Sequence, residues 1–138
     1  MESKELIELL NEDLGTEYQS IVQYVQHIAT IKGAQYQALI EELRKHVSQE
    51  LQHAQALADQ IDFLGGVPTV AVPDIRNEPD EDAALRLDLA LEEGQLQRYR
   101  ERIEQANEMN LPDVAEALRP LLSQTQDHVM DLRTALGK

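Results

Sequence analysis

The sequence predicts an all-α protein, a four-helix bundle whose second and third helices are joined by one long crossover. Three observations predict it. Leu, Ala, Glu, Gln and Arg dominate, and apolar residues recur at helical spacing over four long stretches. The apolar pattern also repeats at an offset of 75 residues, pairing Leu14 with Leu89, Ile21 with Leu96, Tyr24 with Tyr99, Ile28 with Ile103, Leu43 with Leu118, Val47 with Leu122 and Leu57 with Leu132. Finally, glycine and proline gather between residues 65 and 79, where Gly65, Gly66, Pro68, Pro73 and Pro79 interrupt any helix. Each half therefore reads as the same helical hairpin, and two such hairpins bury their apolar stripes against one another.

Taken in order, the first helix is expected from about Lys4 to Thr30, with Ser3 as its N-cap. Gly33 ends it, and the short turn there makes the second helix, about Ala34 to Phe63, antiparallel to the first. Near thirty residues at 1.5 Å each gives helices of roughly 40–45 Å. The segment 65–77 is long enough to travel the length of a bundle, which makes the second and third helices parallel. Val67, Val70 and Val72 could form a strand, but a lone strand has no partner here. The third helix is expected to start near Asn77 to Pro79, capped by Asn77, and to end around Glu108 to Asn110. The fourth runs from Leu111 to about Leu136. Pro120 lies inside it and removes one backbone hydrogen bond, so a kink or break is expected there.

Composition narrows the function. At 138 residues the chain makes one domain, residues 1–138, with a real core. The absence of cysteine excludes disulfides and thiolate metal sites. The start Met-Glu-Ser-Lys-Glu lacks the basic and apolar runs of a secretory signal, and no apolar run approaches membrane-spanning length. The expectation is a soluble, cytoplasmic protein. A net charge of −14, from 26 acidic and 12 basic residues, repels nucleic acid and attracts metal cations, and it also keeps a helical protein in solution.

The polar residues carry the chemistry. Glu50 and His53, three apart, project from one helix face as a carboxylate and an imidazole side by side. Glu17 precedes Glu50 by 33 residues and His53 by 36; Glu92 precedes Thr125 by 33 and His128 by 36. The layout thus occurs twice, with Thr125 where the second central carboxylate would stand. A bundle that takes one Glu from each of two helices and Glu-x-x-His from the others can hold two metal ions in its core. The candidate ligands are Glu17, Glu50, His53, Glu92 and His128, with Glu50 bridging. Carboxylate and imidazole donors suit iron or manganese, and zinc is possible. Two divalent ions carry four positive charges, and the three carboxylates leave one over, so the Glu92/His128 position should bind more weakly. Asp131, or water held by Thr125, could stand in for the missing bridge; Asp127 points elsewhere. Tyr24 and Tyr99, each seven residues after its Glu, face the same interior and are expected to hydrogen-bond the carboxylates. His27 and His46 read as ordinary, partly buried histidines, although His46, one turn before Glu50, could play an accessory metal role.

These residues resemble bacterioferritin over nearly the whole chain. The likeness rests on Glu17-Tyr18-Gln19-Ser20-Ile21-Val22-Gln23-Tyr24-Val25-Gln26-His27, on Glu50-Leu51-Gln52-His53-Ala54, on Asp88-Leu89-Ala90-Leu91-Glu92, and on His128. The resemblance implies a ferritin-like fold, a ferroxidase centre at these positions that oxidises Fe(II), iron handling or storage, and a homo-oligomer of at least two chains. Three departures qualify it. Thr125 replaces a bridging Glu, so oxidation is expected to be slow. Leu51 stands where the family places a haem-ligating Met, so no haem is expected. Ten residues follow His128, too few for the family's fifth helix, which puts a 24-subunit cage in doubt. The alternative is a non-ferroxidase, metal-binding or structural bundle that keeps the fold.

Overall fold

The computed structural model describes residues 1–138. Four long helices account for the architecture: α1 (Ser3–Thr30), α2 (Gln37–Phe63), α3 (Glu81–Glu108) and α4 (Pro112–Ala135), with a 3-10 turn at Ala34–Tyr36 and no strand. α1 packs along α2 and α3 along α4, while α1 also meets α3 and α2 meets α4. No helix is long and apolar enough to cross a membrane.

Contacts between α1 and α3 fix the topology. Asp13 meets Arg102, Glu17 meets Tyr99, Tyr24 meets Glu92 and His27 meets Asp88, so the two run antiparallel. The crossover climbs along α1 to make this possible. Asn11 grips it from both sides, donating to the Val67 carbonyl at 3.1 Å and accepting from the Thr69 amide at 2.8 Å. Tyr18 donates to the Thr69 carbonyl, Gln19 to that of Asp74, and Gln26 to the Asn77 side chain. The expected single long crossover between parallel α2 and α3 is therefore present.

Several boundaries differ from expectation. Ser3 is the first helical residue, preceded by Glu2 with no side-chain cap. The 34–36 stretch is a 3-10 turn, so α2 begins at Gln37. Asp80, whose carboxylate accepts from the Ala83 amide at 3.0 Å, caps α3; Asn77 is engaged by Gln26, and Pro79 lies ahead of the helix rather than in its first turn. Val67 and Val70 sit exposed on the crossover and form no strand. Pro120 does not break α4, which continues from Pro112 to Ala135. Asn110 makes the tight turn into α4 at φ 59°, a conformation that asparagine tolerates better than most residues.

The core is divided. One apolar cluster, with Leu6, Leu10, Leu57, Ile61 and Leu118 fully buried, fills one end of the bundle. A second, around Leu43, Leu85, Leu89, Val129 and Leu132, fills the other. Each such leucine contributes about 1.5–3 kcal/mol. Between them lies a polar layer that these two clusters shield from water.

Candidate metal centre

Glu17 comes from α1, Glu50 and His53 from α2, Glu92 from α3 and His128 from α4, all from mid-helix and all buried to 1% exposure or less. The structure brings the five together. Glu17, Glu50 and His53 form one group whose donor atoms lie within 4.8 Å of one another, and Glu50, Glu92 and His128 form another. Glu50 alone belongs to both. Three carboxylates in so dry a place cannot all keep their charge without a counter-ion.

Their titration shows how the protein meets this problem. Burial, then the charges of Glu17 and Glu92, push Glu50 well above the carboxylate range, so it carries a proton. Burial would raise Glu17 as well, but hydrogen bonding to Glu50 and contact with His53 outweigh it and lower its pKa. Glu92 likewise falls to about 2, burial being overcome by His128 and Glu50. Burial alone would lower His53, yet the Glu17 carboxylate and the contact with Gln124 raise it. Two charged carboxylates thus flank one neutral carboxyl, an arrangement that a pair of cations would displace by releasing the proton.

The imidazoles are aimed inward. Gln124 Oε1 accepts from His53 Nε2 at 2.7 Å, and Gln49 Oε1 accepts from His128 Nε2 at 2.6 Å. Each amide holds the outer nitrogen as N–H and turns Nδ1 to the centre. His53 Nδ1 lies 3.5 Å from Glu50 and 3.7 Å from Glu17, buried and without a hydrogen-bond partner. His128 Nδ1 lies 2.9 Å from Glu50 and 3.3 Å from Glu92. A buried, unpartnered imidazole nitrogen facing carboxylates is what a cation would complete, so the donor set fits iron-class metal. Tyr99 donates to Glu17, and Tyr24 donates to Glu92 at 2.9 Å. Gln95 adds a bond to Glu17 at 2.9 Å.

The remaining candidates fall outside the two groups. Thr125 is buried one turn before His128 on α4, and its hydroxyl donates to the Leu121 carbonyl at 2.7 Å. Asp131 is 40% exposed and bound to His46 Nε2 at 3.1 Å, outside both donor groups. His46 and His27 are fully buried rather than partly so. His46 stacks on His128 at 4.0 Å, and His27 Nδ1 pairs with Asp88 at 2.7 Å.

Sequence reasoning missed Gln49 and Gln124 and the buried ion pairs, although the 75-residue offset contains them. Gln49 matches Gln124, Asp13 matches Asp88, and Arg102 matches His27. Asp13–Arg102 and His27–Asp88 are therefore the same contact made twice. Arg102 Nη2 donates to Asp13 at 3.2 Å while Nε lies 2.9 Å from its other oxygen as an unaligned ion pair. Even so, burial outweighs Arg102 and raises Asp13 to about 6.

Comparison with known proteins agrees with this geometry. The chain is 27% identical over 134 residues to a bacterioferritin of Mycobacterium leprae (strain TN), covering 96% of this chain and 84% of that one. It is 27% identical over 133 residues to a bacterioferritin of Mycobacterium avium, with the same coverage. A crystal structure of ferritin-like, diiron-carboxylate proteins from Bacillus anthracis str. Ames superposes with a TM-score of 0.92 at 33% identity, covering 99% of both chains. The family model of the ferritin-like domain matches residues 7–138. A bundle with this crossover, this divided core and this polar centre belongs to the ferritin-like domain family.

Proposed function

We propose that the protein binds a pair of iron-class ions through Glu17, Glu50, His53, Glu92 and His128, oxidises Fe(II) slowly, and handles or stores iron in the cytoplasm. The observation that carries this is the pair of buried donor groups sharing Glu50, with His53 Nδ1 left unpartnered in the first of them. The diiron-carboxylate proteins and bacterioferritins it resembles support iron over manganese or zinc. Bound iron would supply the redox change. The chain's own residues hold the imidazoles through Gln49 and Gln124, and hold the terminal carboxylates through Tyr99 and Tyr24. Because Glu50 must lose its proton to bridge, ion affinity rises with pH.

Glu50→Gln tests the centre. It keeps the shape of a side chain that is neutral without metal, yet removes the only shared donor. In an anaerobic Fe(II) titration the native protein should take up two ions, unequally, and the variant neither at comparable concentrations. At a hundredfold excess over Kd, binding stabilises the native fold by about 3 kcal/mol. Calorimetric unfolding should show that increment in the native protein and lose it in the variant. Equal uptake by both would remove Glu50 from the site.

The lack of a carboxylate at Thr125, whose hydroxyl is engaged by the Leu121 carbonyl, favours a second reading, a metal-binding bundle without useful ferroxidase activity. Iron oxidation no faster than in buffer, despite bound iron, would select it.

The protein is also proposed to act as a homodimer or larger assembly, without haem. Val22 and Val25 on α1 and Leu51 on α2 are 43%, 58% and 64% exposed, and Leu51 offers no donor atom to a haem iron. Sedimentation should give at least double the 15.6 kDa of one chain. A single-chain mass at micromolar concentration would remove the oligomer.

A further inference from the structure

We propose that a groove between α3 and α4 binds inorganic phosphate through Arg100 and Arg119. The groove, of about 260 Å³, is lined by Leu96 and Arg100 from α3 and by Arg119, Leu122, Ser123 and Gln126 from α4. Leu96 and Arg100 stand one turn apart, and Arg119, Ser123 and Gln126 follow at intervals of four and three, so each set shares a helix face. Leu96 and Leu122 are half-buried and pack onto the two apolar clusters, which gives the groove a fixed floor. No carboxylate lines it. On a chain with 26 acidic and 12 basic residues this sets it apart, since the comparable clefts each include at least one acid.

Arg100 is the observation that separates the groove from ordinary surface charge. Every other arginine meets a carboxylate or, for Arg98, the Gln95 amide oxygen, whereas Arg100 meets neither an acid nor any other acceptor. Arg119 does pair with Glu116, but only through Nε at 3.3 Å, between side chains 56% and 77% exposed. An exposed pair of this kind adds little stability and yields readily to a stronger partner. The repeat carries the point further. Moving the lining back by 75 residues gives Ile21, Val25, Arg44, Val47, Ser48 and Leu51, the matching groove of the first hairpin. Four positions keep their character between the two. The others do not: Val25 and Leu51, exposed apolar residues, become Arg100 and Gln126. The second groove has thus exchanged two apolar groups for a guanidinium and an amide.

The ligand chemistry follows from these groups. Guanidinium forks bind phosphate oxygens through paired, charge-assisted hydrogen bonds. Ser123 can add an O–H donor and Gln126 an N–H donor, while the Gln126 carbonyl can accept from the one O–H of hydrogenphosphate. Sulfate has no such proton, so phosphate should be preferred. The net charge of −14 repels anions from the chain as a whole, so binding here is a local property that works against the surrounding field. The site is separate from the metal centre and does not rest on the function proposed above.

The test is equilibrium dialysis of metal-free, full-length protein against inorganic phosphate, at mildly alkaline pH in a buffer without other oxyanions. Three proteins are compared: native, Arg100→Gln/Arg119→Gln, and Arg76→Gln/Arg86→Gln. The last removes the same charge from exposed ion pairs elsewhere, so it separates the groove from net charge. All four arginines are exposed, so both variants should fold, as circular dichroism will show. The native protein and the Arg76/Arg86 variant should each bind one phosphate per chain with the same affinity. The groove variant should bind about tenfold more weakly or worse, and sulfate should bind the native protein severalfold more weakly than phosphate does. No phosphate retained by the native protein at millimolar concentration would overturn the site. So would an equal loss in both variants, which would mark a response to net charge alone. Sulfate binding as tightly as phosphate would overturn the part given to Gln126. If the groove variant keeps native phosphate affinity but sediments at a lower mass, Arg100 and Arg119 hold an acidic face of another copy, and the phosphate site is overturned.

Discussion

Thr125→Glu should yield a protein that is less stable without metal and binds its second ion more tightly. Thr125 is buried beside three carboxylates, and its hydroxyl is satisfied by the Leu121 carbonyl. A glutamate there loses that bond and places a fourth carboxyl in a layer that already keeps one protonated. It will hold a proton or strain the layer, at a cost of about 2–4 kcal/mol. With two divalent ions present the balance reverses, because four carboxylates cancel their charge and two can bridge. The second position should tighten at least tenfold, about 1.4 kcal/mol, and iron oxidation should quicken. Denaturant unfolding in chelator measures the first effect; iron titration and stopped-flow oxidation of both proteins measure the second. If the native protein already binds two ions tightly and oxidises them as fast as the variant, Thr125 is not the limiting residue.

Arg102→Ala should cause the largest loss of stability among single substitutions outside the centre. Arg102 and Asp13 are 4% and 0% exposed, so removing the guanidinium strands a carboxylate in the core at a cost of about 3–5 kcal/mol. The loss should depend on pH. In the native fold, burial raises Asp13 to about 6 despite Arg102. Without Arg102 the folded carboxyl keeps its proton to higher pH, while the unfolded chain ionises near 4. The penalty therefore grows as pH rises beyond about 6 and shrinks below it. Urea unfolding at pH 5 and pH 8 checks this, and a loss below about 1 kcal/mol at pH 8 would show that water reaches Asp13.

Periodicity made the bundle legible, since apolar stripes, the glycine-proline interruption and the repeat each follow from local rules. The spacing of Glu17, Glu50, His53, Glu92 and His128 was legible for the same reason: helical geometry alone aligns them. What escaped were contacts that cross the bundle. Gln49 on α2 serves His128 on α4, and Gln124 on α4 serves His53 on α2. Neither amide shares a helix with its histidine, so no spacing along the chain connects them. Asp80 took the cap of α3 from Asn77 because α1 presents Gln26 to Asn77, another partner set by tertiary placement. Pro120 leaves α4 continuous because one missing amide among many helical bonds is tolerated when neighbouring turns are held by core leucines such as Leu118.

The crossover has a consequence for how unequal the two halves can be. Two identical hairpins meeting as separate molecules would carry the same residue at both central positions, and would have to find each other at cellular concentration. Residues 64–80 join them at an effective concentration in the millimolar range or above. Covalent linkage frees each half to change alone, so Glu50 can have Thr125 as its counterpart, His46 can have Leu121, and Arg102 can do the work that His27 does in the other half. Asymmetry in the ion pair is thus something only the tethered form of this repeat can inherit.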